Sequence, residues 1–175
     1  MTDHAINDNQ CAGGRMENGS LEEKERARQS LENGNVLNLD FGKLADFFDR
    51  TKDTAAVRRI IPVAVQHADT KEVLIVAYAD ETALWMTLQK RIAVLWSTSR
   101  NELWEKGATS GDVLAIVDIL VNCDQNSLVY LVRPVRKGAC HTKDATGATR
   151  ASCYYRAIVM VNSKPMLFRL NAVAV

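Results

Sequence analysis

The sequence lacks several features that would point directly to a class of function. Lysine plus arginine total 22 and aspartate plus glutamate 21, so no charge excess indicates binding to nucleic acid or to an anionic membrane. No apolar run approaches the length that crosses a bilayer. The first residues lack a basic start followed by an apolar stretch, so we expect no secretory signal and a cytoplasmic location.

Disulfides and tight zinc knuckles are also not indicated. The chain has four cysteines, and no two of them form a Cys-x-x-Cys pair. In a reducing compartment such cysteines are expected to be free, metal-bound or catalytic rather than disulfide-linked.

The composition is that of a globular protein, with 47% hydrophobic and 25% charged residues, and the chain begins with a polar segment. Residues 1–19 have little to bury, and we expect a disordered tail. Ser20 and Glu23 fit a capping box, which predicts a helix that Gly34 would end. With a second short helix over Phe41–Phe48, residues 20–55 are predicted to form a helical N-terminal extension. Residues 56–175 then form the main domain.

The main domain is predicted to be α+β, a small and mostly antiparallel β fold with few helices. Asp80 should cap a helix from residue 81 to about 90, with Leu84, Trp85 and Leu88 facing inward. A short polar link is expected at 101–106 and a long loop at 137–152. Alternation and β-branched residues predict strands at 60–68, 72–79, 92–97, 113–122, 127–135 and 154–161.

Three widely spaced cysteines, Cys123, Cys140 and Cys153, are candidate zinc ligands. Three thiolates would leave the fourth tetrahedral position of zinc open for water, whose pKa zinc lowers to about 7. His141 directly follows Cys140 and could move a proton beside the metal. The alternative is that these are ordinary core cysteines, and their spacing alone does not decide between the two.

The polar stretch around Cys123 also has two interpretations. Asn122, Asp124 and Asn126 bring oxygen-bearing side chains into a connection between two predicted strands. Hard cations such as Mg²⁺ bind oxygen ligands, but only one of the three is a carboxylate. Asn and Asp also favour turns, so a plain turn is the alternative.

A loop from Lys106 to Gly111, KGATSG, combines a lysine, two glycines and two hydroxyls. Backbone N–H groups and hydroxyls in such a loop can cradle a phosphate, although the order is not that of a P-loop and a turn is the simpler interpretation. Upstream, WSTSR adds an aromatic face, hydroxyls and a guanidinium. The candidate substrate-binding residues are therefore Trp96, Ser97, Ser99, Arg100, Lys106, Gly107, Thr109, Ser110 and Gly111.

Together these stretches resemble the phosphoribosyl-AMP cyclohydrolase family of histidine biosynthesis. The resemblance covers about residues 60 to 157 and keeps the family's order of motifs. The matching stretches are WSTSRNELWEKGATSG (96–111), NCDQNSLVYL (122–131), GACHT (138–142) and SCYYR (152–156).

The resemblance implies an intertwined homodimer that hydrolyses a small phosphorylated nucleotide, with no nucleic-acid or membrane partner. It implies that zinc lies at the subunit interface, with Cys123 from one subunit and Cys140 and Cys153 from the other. The implied reaction opens the adenine ring of phosphoribosyl-AMP between N1 and C6, and His141 is the candidate for proton transfer.

Departures from the family leave other functions open. The family usually has Asp-Cys-Asp-x-Asp and holds Mg²⁺ there, whereas Asn122 and Asn126 are amides here, which should weaken that cation. Thr98 stands where a basic residue is usual, and the Cys140–Cys153 link is longer than usual. The alternatives are a paralogous zinc hydrolase acting on another nucleotide or heterocycle, and a non-catalytic zinc-binding protein.

Overall fold

The computed structural model describes residues 20–43, 59–136 and 138–170, which contain two helices and eight strands. The helices are α1 (Leu21–Asn33) and α2 (Glu81–Lys90). The strands are β1 (Ile61–His67), β2 (Val73–Ala79), β3 (Val94–Ser97), β4 (Glu102–Glu105), β5 (Leu114–Val121), β6 (Leu128–Pro134), β7 (Arg156–Val161) and β8 (Lys164–Arg169). The predicted α+β class, small and mostly β with few helices, is confirmed.

Six strands form one sheet in the order β4-β3-β2-β1-β6-β5. Every neighbouring pair is antiparallel except β1 and β6, which run parallel. Alternate residues of β1 and β6 face the core because successive side chains of a strand point to opposite faces. The most deeply buried large side chains include Ile61, Leu74, Leu95, Leu114 and Tyr130. Burying each such side chain contributes about 1.5–3 kcal/mol.

Helix α2 begins where the sequence predicts but turns a different side to the core. The Asp80 carboxylate accepts a hydrogen bond from the Ala83 N–H at 2.7 Å and so caps the helix. Leu84 is buried as predicted, but Trp85 is 62% and Leu88 39% exposed, so the inward prediction for those two residues is wrong. The buried side instead carries Ala83, Leu84 and Thr87.

The reason lies in a polar contact that the hydrophobic pattern does not reveal. The Thr87 hydroxyl donates to the Ala83 carbonyl and accepts from the Val94 N–H of β3 at 3.0 Å. This contact fixes the rotation of α2 about its axis and turns Trp85 outward.

Two strands differ from the sequence-based expectation. Residues 102–105, predicted as a polar link, form β4, which pairs with β3 and extends the sheet edge. The last predicted strand exists as β7, but it pairs with the unpredicted β8 in a separate two-stranded sheet. Asn162 and Ser163 join them at φ values of 50° and 62°, as a two-residue hairpin turn with left-handed residues requires.

The N-terminal extension is described in part. The capping box of α1 is present, with the Ser20 and Glu23 side chains each accepting the other's backbone N–H. No residue of α1 is buried. The predicted helix over Phe41–Phe48 lies outside the described residues except for 41–43, which form a turn, and the predicted tail lies outside them entirely. Among the described residues, no helix is long and apolar enough to cross a membrane.

Candidate active site

Two of the predicted cysteines lie together with the predicted histidine. The sulfur atoms of Cys140 and Cys153 and a ring nitrogen of His141 all lie within 4.8 Å of one another. Sulfur atoms that share a tetrahedral zinc, with Zn–S bonds of about 2.3 Å, are separated by about 3.8 Å, so this donor set is compatible with zinc. The geometry therefore makes His141 a possible ligand as well as a candidate for proton transfer.

Backbone hydrogen bonds hold the two cysteines in place although both lie in irregular segments. The N–H groups of Ala139 and Cys140 donate to the Arg150 carbonyl at 3.1 and 3.0 Å. The Cys153 N–H donates to the Leu74 carbonyl of β2 at 2.9 Å, which ties the cluster to the main sheet. The predicted long loop between them is thus anchored at both ends, and the two thiols meet above β2.

The two thiols have opposite pKa shifts. Burial raises the pKa of the Cys153 thiol to about 11, and the nearby Cys140 sulfur adds to this rise. Burial also acts to raise the pKa of Cys140, but hydrogen bonds from the Thr142 hydroxyl and N–H outweigh it and lower that pKa below its ordinary value. Cys140 is therefore the better thiolate, and Cys153 retains the proton that a bound metal would displace.

Cys123 is separate from this cluster in the single chain. It lies in the connection between β5 and β6 and is exposed. The start of β6 is level with Ala77 of β2, whereas Cys153 is bonded at Leu74 of β2. Measured along the strands, the start of β6 and Leu74 are about 10 Å apart. Across the sheet, β6 is separated from β2 by two inter-strand spacings of about 4.8 Å each. Within one chain the cluster thus consists of two thiols and an imidazole, and Cys123 lies outside it.

The side chains proposed for a cation around Cys123 are engaged in a turn. The Asn122 side-chain oxygen accepts from the N–H groups of Asn126 and Ser127 at 2.9 and 3.0 Å. The Asn122 amide nitrogen donates to the Asn126 side-chain oxygen at 3.1 Å. Asp124 lies 3.9 Å from the Lys43 ammonium. The Asn122 side chain is therefore engaged with the Asn126 side chain and with the backbone, as the turn interpretation requires.

A cavity of about 550 Å³ opens beside the cysteine cluster. Cys140 and His141 line it, which places the candidate metal ligands in its wall. Several predicted substrate-binding residues line the same cavity: Arg100, Lys106, Gly107, Thr109 and Ser110. The structure thus brings the phosphate-cradle candidate and Cys140 to one cavity, although they are far apart in sequence.

The loop from Lys106 to Gly111 needs its glycines. Gly107 has φ +89° and Gly111 φ +77°, both in the left-handed region that favours glycine. A Cβ on Gly107 would come within 2.4 Å of the Val113 backbone nitrogen. The Gly111 N–H donates to the Gly107 carbonyl at 2.8 Å and closes the turn.

Lys106, predicted to bind substrate, is a buried cation. It is only 3% exposed, and its ammonium donates to the Asp112 carbonyl at 3.1 Å. Burial lowers the pKa of Lys106, whereas Asp112 and the sulfur atoms of Cys153 and Cys140 oppose that change. The ammonium thus supplies a positive charge close to the two thiols.

Four other predicted residues do not line this cavity in the single chain. Trp96 is 7% exposed on β3, and Ser97, Ser99 and Gly111 flank the cavity wall rather than form it. Trp104, Asp112 and Thr149 do line it, and sequence reasoning missed them. Thr149 donates to the Asp112 carboxylate at 3.1 Å. No alternation within β4 marks Trp104, because Leu103 and Trp104 are adjacent apolar residues between two glutamates.

The chain is similar in sequence to several known proteins. A family model described as phosphoribosyl-AMP cyclohydrolase matches residues 75–155. The chain is 48% identical over 98 residues to the phosphoribosyl-AMP cyclohydrolase of Archaeoglobus fulgidus, a match that covers 55% of this chain and 83% of that protein. It is 44% identical over 97 residues to that of Erythrobacter litoralis, covering 55% and 72%. It is 42% identical over 111 residues to the histidine biosynthesis bifunctional protein HisIE of Thermus thermophilus, covering 61% and 49%.

Proposed function

The chain belongs to the phosphoribosyl-AMP cyclohydrolase family, and from that premise we propose that it opens the adenine ring of phosphoribosyl-AMP between N1 and C6 in histidine biosynthesis. We propose zinc as the metal and Cys123, Cys140 and Cys153 as its ligands. The single observation that carries the proposal is the meeting of Cys140, His141 and Cys153, two of which, Cys140 and His141, line the cavity.

The residues of the cavity suit a phosphorylated nucleotide. Zinc, when bound, supplies a Lewis acid that makes water nucleophilic at neutral pH. Arg100 and the hydroxyls of Thr109 and Ser110 can hold a phosphate while the purine extends toward the cysteines. His141 lies beside the cysteine sulfurs and can transfer a proton to a ring nitrogen as the C–N bond breaks.

We further propose that the enzyme is an intertwined, cytoplasmic homodimer. Cys123 can complete a three-thiolate site only if a second subunit supplies it, because in one chain it lies apart from the other two. The β7–β8 hairpin supports the association of two subunits, because its apolar side chains Ile158, Met160 and Leu167 are at least 60% exposed. Apolar patches of this kind usually mark an interaction surface.

A magnesium ion at the Cys123 loop is not part of the proposal. The Asn122 side chain is hydrogen-bonded to the Asn126 side chain and to the backbone of the turn. Asp124 is the one carboxylate among these three positions. The same observation favours the second candidate, a paralogous zinc hydrolase acting on another nucleotide or heterocycle. Turnover of another heterocycle by the zinc-loaded protein, with none of phosphoribosyl-AMP, would establish that candidate instead.

The decisive experiment is subunit complementation. Cys123→Ser and Cys140→Ser should each abolish phosphoribosyl-AMP hydrolysis, followed by ultraviolet absorbance, whereas Cys11→Ser serves as the cysteine control. Co-expression of the two inactive variants forms mixed dimers with one complete site of two, so activity should return to about a quarter of the unaltered level. Failure of mixed dimers to regain activity would refute the shared site. Absence of turnover by the zinc-loaded, unaltered protein would refute the proposed reaction.

A further inference from the structure

One residue of the Cys123 loop joins the N-terminal extension to the main domain. The side chain of Gln125 uses all its hydrogen-bonding groups on that extension. Its amide nitrogen donates to the carbonyls of Leu31 and Val36 at 3.4 and 3.2 Å. Its amide oxygen accepts from the Asn38 N–H at 2.6 Å, and its backbone carbonyl accepts from the Asp40 N–H at 2.8 Å. We call residues 31–40 the N-terminal strap.

The conformation of Gln125 indicates that its side chain is needed. Its φ is +49°, in the left-handed region where glycine or asparagine is the usual residue. A glutamine at this position carries a steric cost that glycine would avoid. The residue is nevertheless only 6% exposed, and the contacts to the strap offset that cost.

Further contacts hold the strap and its continuation against the same region. Leu39 and Phe41 pack against the hydrophobic core. Lys43 lies 3.9 Å from Asp124, the residue between Cys123 and Gln125. The loop is thus held internally by the Asn122 side chain and externally by the strap.

We propose that Gln125 is a positioning residue: it binds the N-terminal strap across the Cys123 loop and so holds Cys123 in the orientation in which it reaches the metal site of a second subunit. The inference rests on the proposed role of Cys123 as a shared ligand. It gives the N-terminal extension a function, namely to order a loop whose amides cannot be organised strongly by a divalent cation.

The test compares Gln125→Gly with Asn162→Gly in the full chain. Asn162 has φ +50° in the β7–β8 turn, so both substitutions place glycine at a left-handed position and only one removes strap contacts. Hydrogen exchange of the Asn38 amide, whose acceptor is the Gln125 side chain, should become about tenfold faster in Gln125→Gly and remain unchanged in the control. Cobalt(II), titrated as the spectroscopic probe of the metal site, should bind about tenfold more weakly to Gln125→Gly.

A double-mutant cycle separates positioning from general stability. In a Cys123→Ser background, Gln125→Gly should weaken cobalt binding no further, because the residue through which it acts has been removed. An equal loss in both backgrounds, unchanged exchange, or faster exchange with unchanged cobalt affinity would each overturn the inference. These readouts need no substrate, so a lack of phosphoribosyl-AMP turnover would refute the proposed reaction alone.

Discussion

Replacing Gly107 by alanine tests whether the cavity loop depends on a close backbone approach. Two separate effects are expected. A Cβ in the left-handed region at φ +89° costs about 1 kcal/mol. The same Cβ would also lie 2.4 Å from the Val113 nitrogen and 2.6 Å from the Asp112 carbonyl oxygen. Both are backbone atoms, so the chain itself must shift.

Gly147 supplies a matched control. Its φ is +82°, close to that of Gly107, but a Cβ there would meet nothing within 4 Å. Gly147→Ala should therefore show the conformational cost alone, about 1 kcal/mol. Gly107→Ala adds overpacking, typically about 1–3 kcal/mol, for a total of about 2–4 kcal/mol. The entropy that alanine removes from the unfolded chain applies to both variants and cancels in the comparison.

The assay is urea denaturation followed by tryptophan fluorescence, with chelator present so that metal binding does not contribute. Gly107→Ala should have the lower free energy of unfolding by at least about 1 kcal/mol, with m-values unchanged. Equal destabilisation of the two variants would refute the close approach. A larger loss of unfolding free energy in Gly147→Ala than in Gly107→Ala would refute both the close approach at Gly107 and the open space at Gly147.

Three further predictions concern packing and charge. Thr87→Val leaves the buried Val94 N–H without its acceptor and should destabilise the fold by about 1–3 kcal/mol in urea denaturation, whereas a neutral result would contradict the helix contact. Leu95→Ala empties a fully buried position, and a loss of less than about 2 kcal/mol would contradict its core placement. Arg133 lowers the pKa of Asp69 below its ordinary value of 3.8 by hydrogen bonding. The stabilisation is therefore present above pH 3.8 and lost as pH falls through the lower folded pKa, so Arg133→Met should reduce the melting temperature near neutral pH but not below that folded pKa.

Several parts of the molecule were predictable because they depend on neighbours in sequence. The capping box at Ser20, the cap at Asp80 and the hairpin between β1 and β2 involve residues a few positions apart. The GACHT and SCYYR stretches likewise indicated Cys140 and Cys153, and the structure places their sulfur atoms together. Local hydrogen bonding and periodicity are properties that a single sequence reveals directly.

Other features could not be predicted because the hydrophobic pattern does not carry them. The Thr87 contact with β3 is polar, so the pattern does not show that Trp85 turns outward, and β4 has no alternation of polar and apolar residues that would mark it as a strand. The burial of Lys106 likewise depends on the tertiary packing around the cysteine cluster. The orientation of Trp85, the pairing of β4 and the burial of Lys106 all depend on which elements pack together in the folded chain. Hydrophobic periodicity does not specify that packing.

The sequence by itself determined the chemistry available to this protein: thiols, an imidazole and a loop able to hold phosphate, in the order that marks the family. The tertiary structure alone decided how that chemistry is arranged. It brought Cys140 and Cys153 together beside the cavity and left Cys123 outside that cluster, next to Gln125 and the strap that it holds. The physical reason is that residue types specify which bonds can form, whereas sheet register and long-range packing specify which of them do.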